Sequence, residues 1–408
     1  MKLLIISLLV ALAVAEKVRY DGYQTLRIEP KGAIQNDYIH HLAETLDEKY
    51  DFWTHTRNGF TDVMMAPNLV GGFKYLLESR DIDYHVMIED VQKLIDNQDG
   101  ILPSAGFYET YHSYDEIQTW VTDMANQYSI AEEMNFATSY LGKPINGLKI
   151  SKSTGGSTKR IVYFQGGIHA REWISPATVM YMTYQLLENN GEGFLDEFDF
   201  YIIPSLNVDG YQYSWTNDRM WRKTRSTYEG NACDGVDPNR NYMYEWGGSG
   251  SSSLSCSDIY RGPAAHSEPE VSGTTSLLET LKDQGRKFAC FIDFHSYSQL
   301  WLSPYSYMER DAENHATQVG AAEEACAALQ AVHGTRYTFG ASASTLYAAD
   351  GCSVDWGYAE LEATYSYVVE LRDKGRYGFL LPENQILPTG EETYAGIKAL
   401  LNNIKNNS

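Results

Sequence analysis

No stretch of the 408-residue sequence is apolar over the ~20 residues needed to cross a bilayer. Positive charge is scarce too: 32 Lys and Arg stand against 54 Asp and Glu, 32 − 54 = −22, and no basic stripe relieves the deficit. A surface of that sign repels phosphate, which argues against nucleic acid and anionic membranes as partners. Internal repeats are missing, and the Ser run at 249–253 is an ordinary polar loop. What is present is 43% apolar residues, enough to bury a large core in one or two domains.

Residues 1–15 comprise one Lys, an apolar run and the small-residue ending Ala13-Val14-Ala15, which reads as a signal peptide. The expected compartment is therefore extracellular, where disulfides persist. Five cysteines cannot all pair internally. Cys233 and Cys256 bracket a Gly/Ser-rich loop and are the best candidates for a bridge; Cys290, inside an apolar run, reads as a buried thiol. A Cys326 to Cys352 pairing is a weaker expectation.

From residue 16 to about 95, strand-like runs at 24–28, 52–55, 61–65 and 84–88 alternate with amphipathic helices at 36–46 and 69–78, the pattern of a small α+β unit. Residues 96–106 break the periodicity with Asn, Asp, Gly, Pro and Ser and read as a linker. Beyond it, 107–408 forms a second domain with strand candidates at 147–150, 160–166, 201–204 and 289–294. Helices are expected at 113–127, 176–189, 268–284 and 314–332. Such alternation implies an α/β fold with a mixed, mostly parallel sheet covered by helices on both faces.

In sheets of this kind ligands bind at the carboxyl ends of strands. The run 160–166 ends in Gly166-Gly167-Ile168-His169-Ala170-Arg171-Glu172, and the run 289–294 ends in His295-Ser296-Tyr297. Imidazole and carboxylate together suit zinc, which in catalytic sites takes three protein ligands and leaves one position open. Either half alone is weak, since a histidine at a strand end is more often a hydrogen-bonded surface residue. Glu370 is the one acid in the apolar run 365–371. Buried without compensation it would cost several kcal/mol, so it requires a nearby cation, a functional role as general base, or a salt bridge to Arg372 or Arg376.

His169-Ala-Arg171-Glu172-Trp-Ile-Ser with Phe-His295-Ser-Tyr resembles the zinc metallocarboxypeptidases of the A/B type. The resemblance continues through Met220-Trp221-Arg222, Asp237-Pro238-Asn239-Arg240-Asn241, Tyr260-Arg261-Gly262-Pro263, Ser267-Glu268-Pro269-Glu270 and Glu370-Leu371-Arg372-Asp373, and covers nearly the whole chain. It implies a secreted zymogen that hydrolyses the last peptide bond of peptides and proteins. The first unit becomes an activation domain that inhibits the same chain until an activating protease removes it. It further implies one Zn²⁺ held by His169, Glu172 and His295, with Asp237 orienting a ligand imidazole. Glu370 corresponds to the base, Arg222 to the arginine that stabilises the oxyanion, and Asn239 and Arg240 to the pair that holds a terminal carboxylate. Tyr347 matches the tyrosine that closes over the terminal residue, and Arg171, Ser296, Tyr297 and Phe379 match positions lining subsites further out.

At the base of the terminal pocket the resemblance aligns Val354, which implies apolar or aromatic terminal residues rather than Lys or Arg. Cys352 stands where the family often has Gly, and Asp350 is close in sequence, which keeps a basic-residue preference as the alternative. An inactive peptide-binding relative is the other alternative, disfavoured because ligands, base and both arginines are present. Activation also departs from the family pattern: residues 94–142 contain no Lys or Arg, and Lys93 is the nearest basic site before the second domain. Cleavage there with later trimming, or by another protease in the linker, is expected.

Overall fold

The computed structural model describes residues 16–47, 49–55, 59–98, 106–153 and 159–407. The signal peptide and the linker core at 99–105 lie outside the described residues. The amino-terminal unit is a four-stranded antiparallel sheet in the order Asp51–His55, Thr61–Met65, Gln24–Glu29, Asp83–Ile88, with helices Ala33–Leu46 and Pro67–Glu78. Leu26, Ile28, Val63, Phe73 and Leu77 are buried between sheet and helices. The helix Val91–Gln98 runs on past the expected boundary at 95. Its end is held because Val91 and Ile95 are buried and Gln98 Nε2 donates to Leu381 O, a tertiary contact that outweighs the turn-forming composition. Lys93 lies within this helix.

The larger unit is built on an eight-stranded sheet among the described residues. Its order is Thr338–Ala341, Leu300–Ser303, Tyr365–Leu371, Phe288–Ser296, Arg160–Gly166, Phe198–Ile203, Pro144–Ile150, Ala131–Thr138. The central strands Tyr365–Leu371, Phe288–Ser296, Arg160–Gly166 and Phe198–Ile203 are mutually parallel, and antiparallel strands flank them. All nine residues of Phe288–Ser296 are buried, as a strand covered on both faces requires. On one face Phe164 and Phe200 meet Met182 and Leu186 of the helix Ile174–Glu188 and Ile397 and Leu401 of Ile386–Asn406. On the other, Tyr163 and Phe291 stack at 5.1 Å beneath Trp356 of the helix Ser353–Ala359. The long closing helix, the edge strands and the helix Val208–Thr216 are not among the expected elements, although Tyr394, Ile397, Leu400, Leu401 and Ile404 recur at helical spacing and are the buried face of the closing helix.

Cys233 and Cys256 form a disulfide. Cys326 and Cys352 do not pair; each is a separate buried thiol, as is Cys290.

Candidate metal centre and active site

Strand alternation decides which side chains meet. Phe291, Asp293 and His295 share one face of their strand, and the parallel register sets Glu370 opposite His295. One strand over, the chain leaves Arg160–Gly166 through Gly167, whose φ of 63° is left-handed. Leu206 N and Asn207 N donate to Gly166 O and Gly167 O, pinning this turn to the neighbouring strand's exit. A Cβ on Gly167 would lie 2.9 Å from Ser205 Oγ and 3.0 Å from Ser205 Cα. Gly167→Ala therefore combines positive-φ strain with a backbone clash, and is expected to lower stability by about 1–3 kcal/mol, read as a drop in the denaturant midpoint.

The turn delivers His169 and Glu172 to the carboxyl end of the sheet, where His295 meets them. Glu172 Oε1 is 2.8 Å from His169 Nδ1, Glu172 Oε2 is 3.2 Å from His295 Nδ1, and the two Nδ1 atoms are 3.1 Å apart. The opposite ring nitrogens face carboxylates: His169 Nε2 lies 3.0 Å from Asp237 Oδ1, and His295 Nε2 lies 3.2 Å from Asp293 Oδ2. With their protons on Nε2, both imidazoles turn Nδ1 lone pairs toward each other and toward a carboxylate. All three donors are buried, and such convergence fits a divalent cation with nitrogen and oxygen preference. Among the described residues this is the sole such group. Although burial pushes the Glu172 carboxyl up, His169 and His295 hold it well below the usual range.

Asp237 does two things at once. Its Oδ1 accepts from Asn239 N at 2.9 Å, capping the turn Pro238–Arg240, and its Oδ2 accepts from Arg222 Nη2 at 2.8 Å. Burial works against its ionisation, yet Arg222, His169 and Arg240 hold the carboxyl well below its ordinary value. Arg222 is carried on a loop whose carbonyl accepts from Ala170 N at 3.0 Å, so the guanidinium and the ligand turn are positioned together.

His169, Glu172, His295 and Arg222 line one cavity of about 70 Å³, with Asn239, Arg240, Tyr347, Ser296, Tyr297, Phe379 and Glu370 on its walls. Arg240 Nη2 lies 3.3 Å from the Tyr347 hydroxyl. Asn239 Oδ1 accepts from Ser353 N at 2.8 Å, which leaves its amide turned toward His295. Burial pushes the Glu370 carboxyl up to about 8, against the pull of His295. Neither Arg372 nor Arg376 forms its salt bridge: Arg372 pairs with Glu392.

Three more of the residues singled out in the sequence lie around this cavity. Val354 is fully buried in one cluster with Leu300, Leu302, Ala349, Cys352 and Val368, and the last four of these line the cavity. Asp350 is not an acid of the pocket, because its Oδ2 accepts from Gly247 N, Gly248 N and Ser251 Oγ. Arg171 lines a neighbouring cavity with Met220 and Arg222 rather than this one, and its Nη1 is 3.0 Å from Asp51 of the amino-terminal unit and 3.4 Å from Asp258.

That unit covers the outer end of the cavity. The Tyr297 hydroxyl donates to Asp62 Oδ2 at 2.6 Å, and Arg27 holds the same carboxylate through two bonds of 2.7 Å. Trp53 packs on Phe379 at 5.1 Å and on Tyr297 at 6.3 Å. Burial pushes Asp51 up to about 6, although Arg171 pulls it down. Asp293, Asp51 and Asp62 join the site without having been singled out by sequence motif. Asp293, a charged residue inside an apolar strand, carries a readable signal; the other two act across a domain contact that no local pattern marks.

Residues 117–396 match the family described as zinc carboxypeptidase, and residues 26–98 match the carboxypeptidase activation peptide. Carboxypeptidase B of Astacus astacus is 44% identical over 302 residues, covering 73% of this chain and 98% of that protein. Carboxypeptidase A2 of Rattus norvegicus is 39% identical over 94% of each. Among solved structures, that of thrombin activatable fibrinolysis inhibitor superposes with a TM-score of 0.84 at 37% identity, covering 94% of this chain and 99% of the other.

Proposed function

The chain belongs to the zinc carboxypeptidase family and carries its activation peptide, and from that premise we propose a secreted precursor of an exopeptidase preferring apolar or aromatic C-terminal residues. The units are a signal peptide at 1–15, an activation domain from 16 to the end of the helix Val91–Gln98, and a catalytic domain from about 107. His169, Glu172 and His295 are the residues that would hold zinc. When bound, zinc supplies Lewis acidity, which polarises the scissile carbonyl and acidifies water.

The chain's own groups do the rest. Arg240 grips the terminal carboxylate two-pronged, Asn239 donates beside it, and Tyr347 closes over the terminal residue. Arg222, held by Asp237, donates to the oxygen on which negative charge develops. Glu370 takes a proton from the attacking water and passes it to the leaving amine. The observation that carries this reading is the convergence of two imidazoles and a carboxylate beside Glu370 in a cavity ending at a buried guanidinium.

Relatives of both A and B type leave the terminal preference to this chain's own residues. Leu302, Leu346, Ala349, Cys352 and Val368 make the far wall apolar, with no carboxylate among them, which supports the A-type choice. The deciding experiment is hydrolysis of matched peptides ending in Phe, Leu, Arg and Lys by the activated protein. Apolar ends are expected to be cleaved at least about tenfold faster, because an ammonium or guanidinium would be buried unpaired. Faster release of Arg or Lys would refute the preference.

The activation domain is proposed to act as an intramolecular inhibitor through the contacts on Tyr297, Phe379 and Arg171. Asp62→Ala removes the acceptor shared by Tyr297 and Arg27. It is expected to raise hydrolysis of long peptides by the uncleaved chain at least about tenfold, the equivalent of one charged hydrogen bond of ~1.5 kcal/mol. An unchanged zymogen rate would count against the clamp. Membrane association is not part of this reading, and no helix of the described residues is long and apolar enough to span a bilayer.

A further inference from the structure

The Gly/Ser stretch at 247–253 has the composition of an ordinary polar loop, yet a single carboxylate gives part of it a fixed shape. Asp350 is buried, and its Oδ2 accepts from Gly247 N at 3.0 Å, Gly248 N at 2.6 Å and Ser251 Oγ at 2.7 Å. Glycine-rich backbone loses much freedom on ordering, and charge-assisted bonds, about twice as strong as neutral ones, offset that cost. Within the loop, Gly250 O accepts from Arg240 Nε at 3.0 Å. The surrounding backbone leaves no slack: a Cβ on Gly250 would lie 2.5 Å from Ala348 O, and one on Gly351 would lie 2.6 Å from Arg240 O. Residues 247–251, 348–351 and Arg240 are thus packed as one unit, with Asp350 as its polar tie.

We propose that Asp350 is a positioning residue for Arg240: by tying down the 247–251 loop it fixes the Gly250 carbonyl that holds Nε, and so aims the guanidinium fork at the substrate's terminal carboxylate. The proposal rests on the reading of Arg240 as the carboxylate anchor. Gly250 O takes the Nε–H and Asn239 O takes one Nη1–H at 2.8 Å, so the two tethers set the plane of the guanidinium. The N–H bonds left on Nη1 and Nη2 then point in one direction, which two-pronged capture of a carboxylate requires. Asp350 does not line the cavity, and its effect passes through the loop. Releasing the loop leaves Arg240 charged and buried but free to tilt. A misaimed fork weakens binding of the carboxylate more than it slows bond breaking at the neighbouring carbonyl.

The test uses the activated enzyme, a blocked peptide ending in Phe, and two competitive inhibitors, N-acetyl-phenylalanine and its amide, which differ only in the terminal carboxylate. Asp350→Ala is expected to raise KM about tenfold while kcat changes by less than about threefold, and to cut the preference for the acid over the amide about tenfold. Asp350→Asn, which keeps an oxygen for the three donors, should restore most of both values. A role confined to stability would lower the melting temperature and leave the acid-to-amide ratio where it was. An unmoved ratio in Asp350→Ala, or a fall in kcat with KM unchanged, would overturn the proposal. Should that variant fail to fold, Ser251→Ala removes one of the three donors and decides the same point: a ratio shifted about twofold or more supports the proposal, and an unshifted one overturns it. A wild type that binds the acid no better than the amide would instead overturn the reading of Arg240 beneath it.

Discussion

Glu370→Gln is expected to abolish turnover while leaving the cavity's shape and its ligand binding in place. Glutamine matches glutamate in size, and the two carry a neighbouring oxygen, but the amide accepts no proton from water at neutral pH. General-base assistance is worth about 10²–10⁴-fold, so kcat should fall by that factor with KM for a terminal-Phe peptide little changed. The strand register supports the assignment, since Glu370 faces His295 across a parallel pair and no arginine claims its carboxylate. Kinetics of the purified variant check it: a loss of less than tenfold would hand the proton transfer to another group.

His295→Ala should remove tightly held zinc and the activity with it. The residue supplies one of three converging donors and is itself oriented by Asp293. Its loss leaves His169 and Glu172, too few for a catalytic zinc site. Elemental analysis is expected to find one zinc per wild-type chain and a small fraction of that in the variant. Metal uptake also carries a proton signature. In the metal-free fold burial pushes Glu370 up to about 8, and against the pull of burial Asp293 and Glu172 hold His295 well above its ordinary value, so at pH 7 both hold protons that a bound divalent ion drives off. Calorimetry of zinc binding to the metal-free protein in buffers of different ionisation enthalpy should therefore show proton release at pH 7. No release at pH 7 would contradict the assignment.

Much of the candidate site is legible in the chain because its chemistry is local. The Gly-Gly turn, the three-residue spacing of His169 and Glu172, and a histidine ending an apolar strand are patterns within a dozen residues. The same holds for the central strands, whose unbroken apolar runs announce burial on both faces. The short strands Thr338–Ala341 and Leu300–Ser303 at one edge span only four residues each, too few for a period to show, whereas the helix Ile386–Asn406 carries a readable spacing at Tyr394, Ile397, Leu400, Leu401 and Ile404 that sequence reasoning missed. The linker begins later than its composition suggests, because one glutamine contact to Leu381 O extends the helix Val91–Gln98 into the turn-forming residues.

Residue types and spacings carried the fold class and the two-unit plan and marked His169, Glu172, His295 and Glu370 as candidates, whereas joining the three donors into one ligand set and reading Glu370 as the base rested on the family resemblance. Which residues wall the terminal pocket, which carboxylate steadies His295, which cysteines remain free and how the amino-terminal unit reaches Arg171 and Tyr297 were decided only in three dimensions. Those features are contacts between segments tens to hundreds of residues apart. Their partners are chosen by how strands register and how surfaces close on one another, and neither is encoded in local periodicity.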